Sequence, residues 1–301
     1  MRVNLALVLY LALVFALALD TNAQSAPTAM PTEEKLADDN KLFLSLATMK
    51  LKWEEPTEPV HVAGPLYFVG TKGLGVFLFA TPEGHILMNT GMPSSGPLIV
   101  ESINKLDLKP EDIKVMINGH AHIDHAGALA YLKQRVPGAE LAVMREDVPA
   151  MESGDKGDFK YADDLVYPGV KVDRVLRDGD TIEIGDVQLT AISHPGILAA
   201  PPPGSPISST AARRAFPAGA GFNPGYRLVK NPSYPGIADD YRRTHHVLEM
   251  LKPDIWLAQH NEYYDLEGKR ARAATEGVKA WIDPEGFRRW VASKSALLKI
   301  R

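Results

Sequence analysis

Between residues 118 and 128 the chain reads NGHAHIDHAGA, which places His120, His122, Asp124 and His125 within six positions. Imidazole nitrogens and carboxylate oxygens are the donors that hold zinc and related cations where thiolates are absent. At a strand end, residues i and i+2 point the same way, so His120 and His122 can reach one ion. The chain then turns, and Asp124 and His125 can face a neighbouring position beside a helix N-terminus, whose field is positive. Such a loop suits two metals side by side, roughly 3.5–4 Å apart in two-metal hydrolases. A single loop histidine is usually a surface residue, and a pair at i, i+2 adds little. The whole H-x-H-x-D-H string at a strand-to-helix junction, followed by small residues, points to a metal centre.

That loop needs a strand before it and a helix after it. DIKVMING (112–119) has the apolar run of a buried strand, and AGALAYLKQR (126–135) has helical spacing. LYFVG, GVFLFA, HILMNTG (85–91) and ELAVM read as further strands, and GPLIVESINKL as a helix. Residues 170–192 read as several short strands with DGD and IGD turns. IADDYRRTHHVLEML (237–251) is an amphipathic helix, and DIWLAQH (254–260) a strand ending on His260. DPEGFRRWVASKSALLK (283–299) closes the chain as a helix, with Asp283 as N-cap and Pro284 at its first position. Strands alternating with helices predict a layered α/β domain. Residues 24–60 are polar and acidic and read as an N-terminal arm. Residues 194–221, HPGILAAPPPGSPISSTAARRAFPAGAG, carry three consecutive prolines and no periodicity, and read as a loop or disordered linker.

Composition narrows the partners. Of 301 residues, 45% are hydrophobic and 23% charged, as in globular proteins generally. A net charge of −4 argues against nucleic acid or an anionic membrane surface as partner. There are no cysteines, so any metal falls to histidines and carboxylates. Arg2, the apolar run 5–19 and the small residues TNA (21–23) read as a cleavable signal peptide over residues 1–23, with export to the periplasm. The run is shorter than the ~20 residues a membrane span requires.

The H-x-H-x-D-H string resembles the signature of the metallo-β-lactamase superfamily. More of the chain resembles the third subclass of class B β-lactamases: GTKGLGVFLFATPEGHILMNTGMPSSGPLI, NGHAHIDHAGALAYLK, VDRVLRDGDTI, NPGYRLVKNPSYPGIADDYRRT and AQHNEYYDLEGKRAR. The likeness covers most of residues 60–192 and 222–295. It implies a four-layer αβ/βα sandwich over residues 61–301, two mixed sheets flanked by helices. It also implies two zinc ions, the first held by His120 and His122, the second by Asp124, His125 and His260. The implied reaction opens the ring of a small-molecule β-lactam (penicillin, cephalosporin or carbapenem) with zinc-supplied hydroxide that Asp124 orients. The implied protein is a monomer, with no membrane contact after signal cleavage. His61, His85, His245 and His246 match no ligand position. No G-x-S-x-G elbow offers a serine nucleophile instead. Two rivals remain. A lactonase or thioesterase of the superfamily would bridge its metals with an extra C-terminal Asp, for which there is no match. The other is an inactive zinc-binding protein.

The first zinc lacks a third histidine. The family carries it in a stretch resembling T-P-G-H-T-x-G-S-T-T-W, where this chain has ISHPGILAAPPPGSPISST, with His194 as its one histidine. With suitable synonymous codons, residues 191–212 read one base earlier give H-L-T-P-G-H-T-R-G-S-T-T-W. A pair of compensating frameshifts over residues 192–219 accounts for this. On that account His194 is a ligand only by accident, and the segment loses the strand it would have placed beside the site.

Overall fold

The computed structural model describes residues 33–193, 196–200, 213–217 and 228–299, with 33–38, 196–200 and 296–299 described as backbone. The expected signal peptide, His194 and the proline run lie outside the described residues. The chain divides into two compact units, residues 1–38 and 39–301, and the second carries the architecture below.

Within the segment read as an arm, Glu33–Lys50 forms an 18-residue helix, α1. Seven strands follow in one sheet, in spatial order β1 to β7: Val60–Ala63, Leu66–Phe68, Phe77–Thr81, Gly84–Met88, Ile113–Ile117, Glu140–Met144 and Arg174–Leu176. β1 to β4 pair antiparallel, and β4 to β7 pair parallel. The parallel pairs need crossovers, which α2 (Ser95–Lys105) and α4 (Leu129–Arg135) supply, with the single turn α3 (Ile123–Ala126) before α4 and α5 (Val148–Ser153) after β6. The second sheet has the order β12-β11-β10-β9-β8, with β8 at Thr181–Ile184, β9 at Val187–Ile192, β10 at Gly196–Ala200, β11 at Arg214–Pro217 and β12 at Ile255–Trp256. It too is mixed, because β11 and β12 run parallel. α6 (Ile237–Met250), α7 (Leu266–Glu276) and α8 (Pro284–Lys299) complete the chain. Asp283 caps α8 as expected, its Oδ1 accepting from the Gly286 N–H at 2.8 Å.

Strand alternation explains the layers. Phe77, Phe79, Ile86 and Met88 join Ile182, Leu189, Phe216 and Trp256 in the core between the sheets. Val76, Leu78 and Leu87 face the other way, onto Ile99 and Ile103 of α2 and Leu129 and Leu132 of α4. Burial on both faces is why β3 and β4 read as near-continuous apolar runs. On the outer side of the second sheet, Phe287 and Trp290 of α8 meet Trp256, with ring centroids 5.8 and 5.3 Å apart.

One expectation is corrected here. Residues 194–221 do not all read as loop: β10 pairs with β9 over five positions and with β11 over four. β9 therefore has its neighbour, and the expected loss of that strand is overturned. The reason is local. The apolar stretches GILAA and RAFP can pair through their backbones, while proline, which lacks a donor, flanks β10 on either side and otherwise stands at the end of β11.

Candidate metal centre

The histidine loop begins where β5 ends. His122 occupies the N-cap position of α3 in extended conformation (φ −71°, ψ 154°). Its carbonyl accepts from the N–H groups of His125 and Ala126, both at 2.9 Å, so the chain winds at once into the turn that carries Asp124 and His125. Side chains from several elements fix this turn. Thr90 donates from its N–H (2.9 Å) and its hydroxyl (3.0 Å) to the His125 carbonyl, and Asn118 donates to the same oxygen at 3.1 Å. The Tyr167 hydroxyl donates to the Ala121 carbonyl at 2.6 Å.

His260 arrives from the other sheet. The strand expected over residues 254–260 is hydrogen-bonded in its sheet only at β12. Beyond it the chain runs along the loop of residues 73–75. Gly75 donates to the Gln259 carbonyl at 2.8 Å, Asn261 to the Gly73 carbonyl at 3.0 Å, and Leu74 and His260 form an antiparallel bridge. Glycine is required at 75, where a Cβ would lie 2.4 Å from the Ala258 carbonyl oxygen. Asn89 joins the two halves. It follows β4 in left-handed conformation (φ 64°) and is 2% exposed. Its Oδ1 accepts from the Gly119 N–H (3.1 Å) and from the Gln259 amide (3.2 Å), and its Nδ2 donates to the Gly75 carbonyl (3.2 Å). Nothing in the sequence singles out Asn89, because Asn in NTG looks like any turn residue.

The structure brings four of the expected residues into one cluster. Ligand atoms of His120, Asp124 and His125 lie within 4.8 Å of one another. Asp124 Oδ2 is 3.1 Å from His125 Nε2 and 3.5 Å from His260 Nε2. Burial works to raise the Asp124 carboxyl, but the field and hydrogen bond of His125, with the fields of His260 and His120, outweigh it and hold the group far below the carboxylate range. Burial and the neighbouring His125 push His260 down to about 3. Burial likewise keeps His120 well below the ordinary imidazole range. His122 sits at the margin of the cluster. Its ring centroid is 4.8 Å from that of His120, but its Nε2 faces Asp158 Oδ2 at 3.9 Å. His122, Asp155 and Asp158 form a second group of ligand atoms within 4.8 Å of one another. Burial, reinforced by Asp158, Asp147 and Asp124, pushes the Asp155 carboxyl up to about 8. The sequence carries these acids in SGDKGDF, which reads as a glycine-containing turn and gave no metal signal.

The donor set fits a cation such as zinc. His120 Nδ1 and His260 Nδ1 are buried without a hydrogen-bond partner among the described residues, an expensive arrangement unless something else takes their lone pairs or protons. Of the other histidines, His85 and His245 are buried away from the cluster, His245 against Ser295. His61 bonds the Gly64 carbonyl, and His246 is exposed. A wall of apolar side chains stands beside His260: the Trp53 ring is 5.4 Å away, packed with Leu74 and Met92.

Comparison with known proteins agrees with this geometry. The profile of the metallo-beta-lactamase superfamily matches residues 76–204. The native FEZ-1 metallo-β-lactamase of Legionella gormanii is 35% identical and superposes with a TM-score of 0.77, over 82% of this chain and 95% of that one. BJP-1, a subclass B3 metallo-β-lactamase of Bradyrhizobium japonicum, is 34% identical with a TM-score of 0.76, over 84% and 96%. A probable metallo-hydrolase of Burkholderia pseudomallei (strain 1710b) is 33% identical over 84 residues, so this chain spans only 28% of that protein's length. Two mixed sheets, a histidine loop at the end of β5 and a likeness of that extent lead to one conclusion: the chain belongs to the metallo-β-lactamase superfamily, with subclass B3 enzymes as its structural neighbours.

Proposed function

We propose that this chain is an exported zinc hydrolase that opens the ring of β-lactam antibiotics. The observation that carries the reading is the meeting of His120, Asp124 and His125 from one sheet with His260 from the other. In this reading His120 and His122 hold one zinc, and Asp124, His125 and His260 the other. When bound, zinc supplies a water whose pKa is lowered to roughly 7 and an electrophile for the carbonyl oxygen.

The chain's own residues do the rest. Asp124, whose carboxyl is held far below the ordinary carboxylate range, would accept a hydrogen bond from that water and orient it toward the carbonyl. Trp53, Leu74 and Met92 exclude bulk water from the His260 side, which strengthens each electrostatic contact there. A cleft of about 560 Å³ opens beside the loop, lined among others by Lys41, Lys52, Met92 and Ile123. Its volume suits a drug-sized molecule; Glu54, Glu55 and Asp164 line it beside the two lysines, and Lys52 pairs with Glu55 at 3.8 Å.

The test is turnover of nitrocefin and a carbapenem by the purified, zinc-loaded chain, with a lactone and a thioester as competing substrates. Lactam hydrolysis abolished by a chelator supports the reading. Hydrolysis of the lactone or thioester alone assigns the site to another substrate class, and no turnover with zinc bound makes the chain a zinc-binding protein. With two assured histidines at the first position, the rate is expected to fall below that of a chain whose residues 192–219 are restored to the other frame. Export rests on Arg2 and the apolar run 5–19. N-terminal sequencing of the mature protein is expected to begin near Gln24.

A further inference from the structure

His122 faces two carboxylates that the reading above leaves without a task. They belong to the loop after α5. Gly154 ends that helix with φ 73°, and a Cβ there would lie 1.9 Å from the Tyr167 carbonyl oxygen, so only glycine allows this exit. Asp155 follows with φ 63°, a region that non-glycine residues enter at a cost. The turn carries Asp155 inward, where it is 6% exposed. Its backbone N–H donates to the Ala150 carbonyl at 2.7 Å. Its carboxylate has no hydrogen bond or ion pair with any described residue. A buried carboxyl in that condition either keeps its proton or takes a counter-cation.

Asp158 is oriented toward the same point. Its Oδ1 accepts from the N–H groups of Lys160 (2.7 Å) and Tyr161 (2.6 Å), and its backbone exchanges two hydrogen bonds with Ala162. That leaves Oδ2, which faces His122 Nε2 at 3.9 Å. No lysine or arginine among the described residues pairs with either acid. Ligand atoms of His122, Asp155 and Asp158 all lie within 4.8 Å of one another, as three donors roughly 2.0–2.6 Å from one ion would. One oxygen tied down by backbone donors and the other free is how a metal-ligating carboxylate is held in place.

We propose that Asp155 and Asp158 complete, with His122, a divalent-cation position in place of the histidine the first metal lacks. This deepens the reading of the loop as a metal centre and rests on it. One nitrogen and two carboxylates form a harder donor set than three imidazoles, so the position favours Mn2+ over zinc more than a three-histidine site does. On this assignment a harder cation at His122, Asp155 and Asp158 replaces the zinc read above at His120 and His122, and zinc stays at Asp124, His125 and His260.

The experiment strips the full-length mature chain with a chelator and titrates it with Mn2+ alone, reading free ion by electron paramagnetic resonance. Zinc is then titrated separately. Asp155→Asn is the decisive variant, since its carboxylate makes no bond within the protein that the change could break. Asp158→Asn keeps an oxygen for the Lys160 and Tyr161 donors. Each is expected to weaken Mn2+ binding by roughly tenfold or more, with zinc stoichiometry at the other position unchanged and thermal unfolding of the metal-free chain not lowered. His260→Ala is expected to do the reverse. Wild-type Mn2+ affinity in Asp155→Asn and in the double variant overturns the proposal, as does the absence of a Mn2+ site in the wild type. Should His260→Ala also leave zinc binding unchanged, it is the underlying reading of the loop that fails, and the two failures are separable.

Discussion

Asn89→Ala tests how the two halves of the site are tied together. The change removes three hydrogen bonds, to Gly119, Gln259 and Gly75, the last two fully buried. At about 1 kcal/mol net for each bond, the loss is about 3 kcal/mol. Alanine must also hold a left-handed backbone (φ 64° at this position), which adds about 1 kcal/mol. The total is about 4 kcal/mol, a large part of what a domain has to spare. Asn89→Gly loses the same bonds but not the backbone strain, so it should be about 1 kcal/mol less damaging on that account, offset in part by glycine's greater freedom when unfolded. The functional consequence is separate. Gly119 adjoins His120 and Gln259 adjoins His260, so both variants should weaken zinc binding by roughly 10- to 100-fold, as loss of outer-shell support does elsewhere. Urea unfolding of the metal-free protein measures the first quantity, and competition with a chromophoric chelator the second. If Asn89→Ala unfolds within about 1 kcal/mol of wild type and binds zinc as tightly, the side chain does not join the halves, and the argument from these three bonds is refuted.

Other outcomes follow from the same structure. His260→Ala should lose one zinc per chain by elemental analysis of dialysed protein, and equal zinc content would remove His260 from the site. In the metal-free protein, His260 is held at about 3 while an unfolded imidazole titrates at about 6.5. As pH falls through that window the unfolded chain takes up a proton that the folded chain refuses, so stability should drop between about pH 6.5 and 3, and His260→Gln should flatten that part of the curve in urea titrations. Lys269 is 1% exposed and pairs with Asp283 at 3.2 Å beneath the Trp256 and Tyr264 rings. Asp283→Ala leaves that ammonium without its counter-charge and should cost about 3–5 kcal/mol, whereas Lys269→Met leaves an acid still bonded to Gly286 and should cost clearly less. Equal losses in the two variants would contradict this asymmetry.

The sequence was most informative where one short segment sets both local structure and chemistry. The histidine loop is legible because a buried strand, a run of donors and a helix follow one another within about two dozen residues. His260 is legible as the end of an extended apolar stretch. Helix α1 is not, because its apolar residues lie on both sides. Leu44 and Ala47 pack toward Trp53, while Leu42, Leu46 and Met49 are exposed, so no single stripe stands out. Asn89 and Asp155 escape for a different reason. What makes each informative is a set of partners, or a lack of them, that only the folded chain defines. β10 is hidden because the prolines after it dominate a stretch in which Gly196–Ala200 pair well.

β10 also bears on how such a protein changes over time. A strand is recognised in a sheet through its amide and carbonyl groups, which nearly every residue carries alike. A metal ligand is recognised through one side chain at one place. A genetic event that rewrites several consecutive residues therefore acts on two properties of unequal tolerance. Gly196–Ala200 holds its rung between β9 and β11 through such groups, while the donor set is open to revision. On such a scaffold the choice of metal can drift faster than the fold.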